Sequence, residues 1–97
     1  MESTLKALAD PGRRRILTLV REEERSAGEI AAEFTVSWPA VSQHLRVLKE
    51  AGLVTERRDG ARRLYRARPE GLREVRAFLD DFWDDKLERL KREVERG

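Results

Sequence analysis

A chain of 97 residues, 39% hydrophobic and 41% charged, supplies one hydrophobic core and is too short for two. It has no cysteine, one histidine and no apolar run near the roughly 20 residues of a membrane span, and Met1-Glu2-Ser3-Thr4 is no basic-then-apolar leader. Disulfides, thiolate chemistry and multi-histidine metal sites are therefore excluded, and a cytoplasmic protein without cofactor or metal is expected. The net charge of +2 is unevenly placed: residues 1–68 hold 14 basic and 10 acidic side chains, residues 69–97 hold 7 and 9.

A first short helix is predicted over 3–9, with Leu5, Leu8 and Ala9 on one face. Asp10-Pro11-Gly12 then combines a good N-cap with a proline suited to the first helical turn, and Ile16, Leu17, Leu19 and Val20 carry the helical period to about residue 23. Arg13-Arg14-Arg15 falls at the start of that helix, where the dipole disfavours cations, so an anion is expected nearby, either a DNA phosphate or a carboxylate of the C-terminal helix. Ser26-Ala27-Gly28-Glu29 has capping-box spacing and opens a short helix over 27–34. Ser37 is a further cap, Pro39 is tolerated in the first turn, and a fourth helix runs over 38–51 up to Gly52.

After Gly52 the pattern becomes extended. Residues 53–58 and 62–68 are two short runs flanking Asp59-Gly60, a preferred hairpin dipeptide. From Pro69 a long helix over 70–95 places Leu72, Val75, Leu79, Phe82, Trp83, Leu87, Leu90 and Val94 in one stripe. That stripe is more apolar surface than so small a domain covers, and it predicts self-association. Asp80, Asp81, Asp84 and Asp85 are read as the solvated side of this helix rather than as cation ligands.

The order helix, helix, short helix, turn, helix, hairpin is that of a winged helix-turn-helix over residues 26–68, within a single domain of 1–97 that is mainly α with a small β-hairpin (α-α-α-α-β-β-α). At 100° per residue, Val41, Leu45, Leu48 and Gly52 fall on the inner side of the fourth helix. Pro39, Gln43 and Arg46 fall outside, flanked by Ala40 and Ser42. An amide suits adenine, a guanidinium suits guanine, and small neighbours permit close approach. Arg57, Arg58, Arg62 and Arg63 make the hairpin strongly basic, which suits a phosphate backbone as well as a charge-protected sheet edge. Ser37 adds a backbone contact, Lys49 adds another or is solvated, and His44 is assigned a half-buried or phosphate-contacting place.

Three stretches carry a family resemblance: Leu8-Ala9-Asp10-Pro11-Gly12-Arg13-Arg14-Arg15-Ile16-Leu17, the run from Val41-Ser42-Gln43-His44-Leu45-Arg46 through Ala51-Gly52-Leu53-Val54, and Asp59-Gly60-Ala61-Arg62-Arg63-Leu64-Tyr65. Over nearly its whole length the chain resembles the ArsR/SmtB family of winged-helix repressors. Metal-sensing members carry Cys-x-Cys around the third helix, or His and acidic ligands on the last. Here Ser26-Ala27-Gly28-Glu29-Ile30-Ala31-Ala32 stands at the first place and no histidine at the second, so the resemblance is to the branch without the usual metal ligands.

The resemblance implies a homodimer through helices 1 and 5 (Leu5, Leu8, Leu72, Val75, Leu79, Phe82, Trp83, Leu87, Leu90), with 3–9 and 70–95 as dimerisation helices. The expected function is a nucleoid-associated, sequence-specific DNA-binding regulator that represses from a pseudo-palindromic promoter operator, responding to an unidentified small-molecule inducer. The alternative is a winged-helix interaction module that docks an acidic partner protein.

Overall fold

Side-chain caps set the helical boundaries. The structure, a computed structural model, describes residues 1–96; the side chains of residues 85–87 and 96 are not described, so the contact expected of Leu87 lies outside the described residues. Helix α1 (Glu2–Leu8) leads to Asp10, whose carboxylate accepts from the backbone N–H of Gly12 at 2.7 Å and of Arg13 at 3.2 Å to open α2 (Pro11–Glu22). Ser26 accepts from the Glu29 N–H at 3.1 Å while the Glu29 carboxylate accepts from the Ser26 N–H at 3.2 Å, the reciprocal box that starts α3 (Ala27–Ala32). Ser37 accepts from the Ala40 N–H at 3.4 Å to start α4 (Trp38–Glu50). Gly52 ends α4 at φ +74°, with Leu53 N–H bonded to the Leu48 carbonyl at 2.9 Å and Gly52 N–H to Lys49 at 3.0 Å.

Two short strands and one unforeseen strand make the wing. A two-residue strand β1 (Arg25–Ser26) pairs antiparallel with β3 (Arg62–Ala67), placing Arg25 opposite Tyr65 and Ser26 opposite Leu64. With β2 (Val54–Asp59) the sheet order is β1-β3-β2. Asp59 stands opposite Arg62, so the hairpin turn is Gly60-Ala61, with Gly60 at φ +64°. Positive φ at the first central position alone is the pattern of a Gly-X turn, and Asp59 is a strand residue rather than half of the turn.

The arginine triplet finds its negative charge in an unexpected place. Arg13 donates from Nε to the Ala7 carbonyl at 2.8 Å and from Nη2 to the Lys6 carbonyl at 2.9 Å, and Arg14 donates to the Leu8 carbonyl at 2.7 Å. The Ala7 and Leu8 carbonyls are ones the C-terminal end of α1 leaves without intrahelical partners, the Lys6 carbonyl also accepts from the Ala9 N–H at 3.3 Å, and all three lie at the negative end of the helix dipole. Arg15 lies 4.9 Å over the Phe34 ring and 3.9 Å from Glu33. For Arg13 and Arg14 a helix end thus takes the place of the last helix's carboxylate, one of the two anions expected.

Ile16, Val20, Ile30, Val41, Leu45, Leu48, Leu53, Val54 and Tyr65 form the core that joins α2, α3, α4 and the sheet. Helix α1 contributes buried Thr4 and Ala7 and half-buried Leu8, while Leu5 faces outward. Leu72 also packs on this core from a tight 3-10 turn (Pro69–Leu72), which precedes α5 (Arg73–Arg96). Leu8 and Leu72 therefore serve the chain's own core and leave only part of their surface for a partner. The 24 residues of α5 run about 36 Å and help stretch the molecule to 64 × 25 × 23 Å.

Gly71 sits where only a hydrogen fits, because a Cβ there would overlap the Gly52 carbonyl, which is backbone and cannot rotate away. Gly71→Ala is expected to lower unfolding free energy by at least about 1 kcal/mol, read as a drop in the urea midpoint with unchanged slope. An unchanged midpoint would show that the turn before α5 moves freely.

Candidate nucleic-acid interface

Helix α4 turns Val41, Leu45 and Leu48 inward and leaves Pro39, Ser42, Gln43 and Arg46 exposed; Ala40 between them is half-buried. Arg46 Nη2 donates to Gln43 Oε1 at 2.6 Å, so the two residues expected to read bases are joined one turn apart. With its oxygen engaged, Gln43 offers Nε2 hydrogens, and Arg46 offers its remaining N–H groups. Together they form a donor-rich surface suited to the O6 and N7 acceptors of guanine. The bidentate adenine contact foreseen for Gln43 would use the second lone pair of that oxygen alongside the Arg46 bond.

His44 lies elsewhere. One residue from Leu45, it is half-buried toward α2, with Nε2 3.8 Å from Asp10 and Nδ1 3.4 Å from Arg13 Nη1. Of the two places assigned to it, this is the half-buried one: its position on the helix turns it toward the start of α2. Asp10 is held below the usual carboxylate range by the backbone N–H of Arg13 above all, which outweighs its partial desolvation.

The basic hairpin divides into anchored and unanchored arginines. Arg57 makes a forked pair with Glu24 at 2.8 and 2.6 Å, and Arg62 meets Glu29 at 2.7 Å. Arg58 and Arg63 are exposed directly opposite one another across the β2-β3 ladder, and neither has an ion pair among the described residues. Like charges so placed repel, and an anion between them relieves the repulsion. Lys49 is 3.6 Å from Glu56, which also accepts from the Tyr65 hydroxyl at 2.9 Å. Burial works to raise Glu56, but Tyr65 and Lys49 together hold it below its ordinary range; Tyr65 is pushed up, by its own burial first and by Glu56 second.

Glu24 and Glu29 thus pin the wing to the body, a role the sequence offered only indirectly, as a carboxylate run at 22–24 and a capping glutamate upstream of an arginine-rich hairpin. The Arg57 hydrogen bond lowers Glu24, and the Ser26 backbone N–H, ahead of the Arg62 charge, lowers Glu29. A depressed carboxylate contributes stability that is present above its unfolded value of about 4.3 and lost as pH falls through the native value. The melting temperature is therefore expected to fall between about pH 5 and pH 3, and to fall less in the double variant E24Q/E29Q. Parallel pH profiles for both chains would show that the wing anchors carry no stability.

A cleft of about 460 Å³ separates α4 from the wing, lined by Ser26, Ala27, Gly28, Trp38, Ser42, Ala61, Arg62 and Arg63. Trp38, 54% exposed at the first position of α4, had no place in the expected contact set. Its one sequence signal was a large aromatic in a helix's first turn, because the 100° period puts it only 20° from Leu45, at the edge of the inward stripe. Among the described residues, no helix is long and apolar enough to cross a membrane, and no group of three His, Cys, Asp or Glu is placed to hold a metal ion.

A short helix, a tight break, a helix with an exposed polar face and a basic antiparallel hairpin define a winged helix-turn-helix built to meet nucleic acid. Residues 10–56 match the model of the bacterial regulatory protein, arsR family. The chain is 49% identical over 78 residues to the HTH-type transcriptional regulator Rv2034 of Mycobacterium tuberculosis, covering 80% of this chain and 73% of that one. It is 42% identical over 60 residues to the transcriptional repressor SdpR of Bacillus subtilis, covering 62% and 67%.

Among solved structures, a possible transcriptional regulator for arsenical resistance superposes with a TM-score of 0.74 at 51% identity, over 89% of this chain and 90% of that one. The homodimeric winged helix-turn-helix DNA-binding domain Mb0332 of Mycobacterium bovis superposes with a TM-score of 0.68 at 33% identity, over 87% and 78%. The chain belongs to the ArsR family of transcriptional regulators.

Proposed function

We propose that the chain acts as a homodimer that represses transcription by occupying a pseudo-palindromic operator. On this reading, residues 26–68 are the DNA-reading unit and residues 3–9 and 70–95 the dimerisation helices. The two α4 helices enter successive major grooves about 34 Å apart, and the wings hold the flanking backbone. Gln43 and Arg46 read bases, with Ser42, Ala40 and Pro39 permitting approach. Arg58, Arg63 and the hydroxyl proton of Ser37 meet phosphates. The chain works where the genome lies, at the nucleoid.

The observation that carries this reading is the shared cleft: the exposed flank of α4 and the arginines of the wing line one surface. The uncovered apolar side of α5 supports the dimer, as does the homodimeric state of the similar Mycobacterium bovis domain. Repression is the role named for SdpR.

The test is fluorescence anisotropy of a labelled duplex from upstream of the chain's own gene, with excess scrambled duplex as competitor, at about 150 mM salt. Binding that survives the competitor is expected for that duplex or for one selected from a random pool. A chain that selects no duplex and ignores DNA at this salt would overturn the reading in favour of a protein-docking module.

A further inference from the structure

We propose that the cleft between α4 and the wing seats one sugar–phosphate strand of the bound duplex, with the Trp38 indole packed on a deoxyribose and Arg63 on the adjoining phosphate. The assignment rests on the DNA-reading function proposed above and adds to it a contact that reads no sequence. Its first support is angular. At 100° per residue, Trp38 stands 80–140° around α4 from Pro39, Gln43 and Arg46, on the same flank as Ser42, and both Trp38 and Ser42 line the cleft.

The second support is dimensional. A helix with its side chains is about 10–12 Å across and the major groove about 12 Å wide, so a helix whose outer face meets base edges has its flanks against the groove walls, which are the two backbones. Trp38 therefore faces a backbone and not a base edge. The wall on this side is the strand that passes from the major groove, read by α4, to the neighbouring groove beneath the wing.

The chemistry of the cleft agrees with that occupant. Its lining combines an indole 54% exposed, the Ser42 hydroxyl and two guanidinium groups, and no carboxylate is among the lining residues. Glu29 holds Arg62 at 2.7 Å, which leaves Arg63, whose charge also acts on Glu56 and Tyr65, as the cleft's cation without a close ion pair among the described residues. A deoxyribose offers the apolar C–H surface an indole covers, and the phosphate beside it offers acceptors to Arg63, to the Ser42 hydroxyl and to the indole Nε1–H.

The experiment labels the chain with 5-fluorotryptophan. Two resonances are expected, from Trp38 and Trp83, and the one missing in W38F belongs to Trp38. Saturation with duplex, followed by anisotropy, is expected to shift the Trp38 resonance and to abolish its solvent-isotope shift, because the ring leaves water. Random duplex at low salt should do the same as selected duplex, since every step carries the same sugar. W38A, assayed well below its own melting temperature because nearly half of the ring is buried, is expected to weaken both duplexes by one common factor, about three- to tenfold.

A Trp38 resonance that stays in water while the complex saturates would overturn the assignment. So would a W38A loss confined to the selected duplex, which would make Trp38 a base reader. Failure of the parent chain to bind any duplex would overturn the DNA-reading function itself, and this assignment with it.

Discussion

Replacing Leu79 and Phe82 together by glutamate is expected to yield a monomer whose affinity for its operator is about 10²–10⁴-fold lower, the advantage that a second linked half-site confers. The residues follow from the exposed face of α5. Phe78, Leu79, Phe82 and Trp83 are each more than half exposed, and they continue through Leu90 toward Val94. Their spacing keeps them on one side of the helix, and outward Leu5 of α1 adds to the apolar surface the fold leaves uncovered.

Self-association would remove that surface from water at about 25 cal/mol per Å², and two carboxylates in its middle would have to be desolvated for the pair to persist. The core residues are elsewhere, so the variant should keep its helical circular dichroism. Sedimentation equilibrium and anisotropy on the same preparation check both parts. A persistent dimer, or a monomer that binds the operator as tightly as the parent, would place the interface on another face.

Arg46→Ala is expected to cost about 1–3 kcal/mol of operator affinity and to relax preference at one base pair, with little change on random duplex. The Arg46–Gln43 bond of 2.6 Å adds a second expectation. If the amide oxygen steadies the guanidinium, Gln43→Ala loses part of what Arg46→Ala loses, and the double variant should be less impaired than the sum of the two. Selection from a pool randomised at each operator position measures the preference, and a double-mutant cycle measures the coupling. Equal losses on operator and random duplex for Arg46→Ala would remove it from the base-reading set, and strict additivity would show that the bond dissolves on binding.

Much of this architecture is written in punctuation. Asp10-Pro11, Ser26 with Glu29, Ser37 and Gly52 each satisfy or end a run of backbone groups locally, so the four helices they delimit begin and end within two residues of where those signals place them. The strand β1 has no such signal. Two residues carry no periodicity, and Arg25-Ser26 becomes a strand only because Tyr65 and Leu64 come alongside.

The wing's anchors were hidden for the same reason: Glu24 and Glu29 lie 33 residues from Arg57 and Arg62, a separation only the folded chain closes. His44 and Trp38 show the limit within a single helix. Both stand on its flanks, where the period separates inside from outside poorly, and the neighbouring elements decide. The start of α2 takes His44, and the open side toward the wing leaves Trp38 in water.

The grip of Arg13 on α1 has a mechanical consequence. Its guanidinium holds the Lys6 and Ala7 carbonyls while standing 3.4 Å from His44, so the first helix, the second and the reading helix are tied through one side chain. The surface that carries Leu5 and the surface that carries Arg46 are then parts of one rigid body. In two copies joined along α1 and α5, a disturbance at the seam would reach the DNA as a change in the distance and angle between two unaltered bodies, measured against a groove repeat that does not stretch.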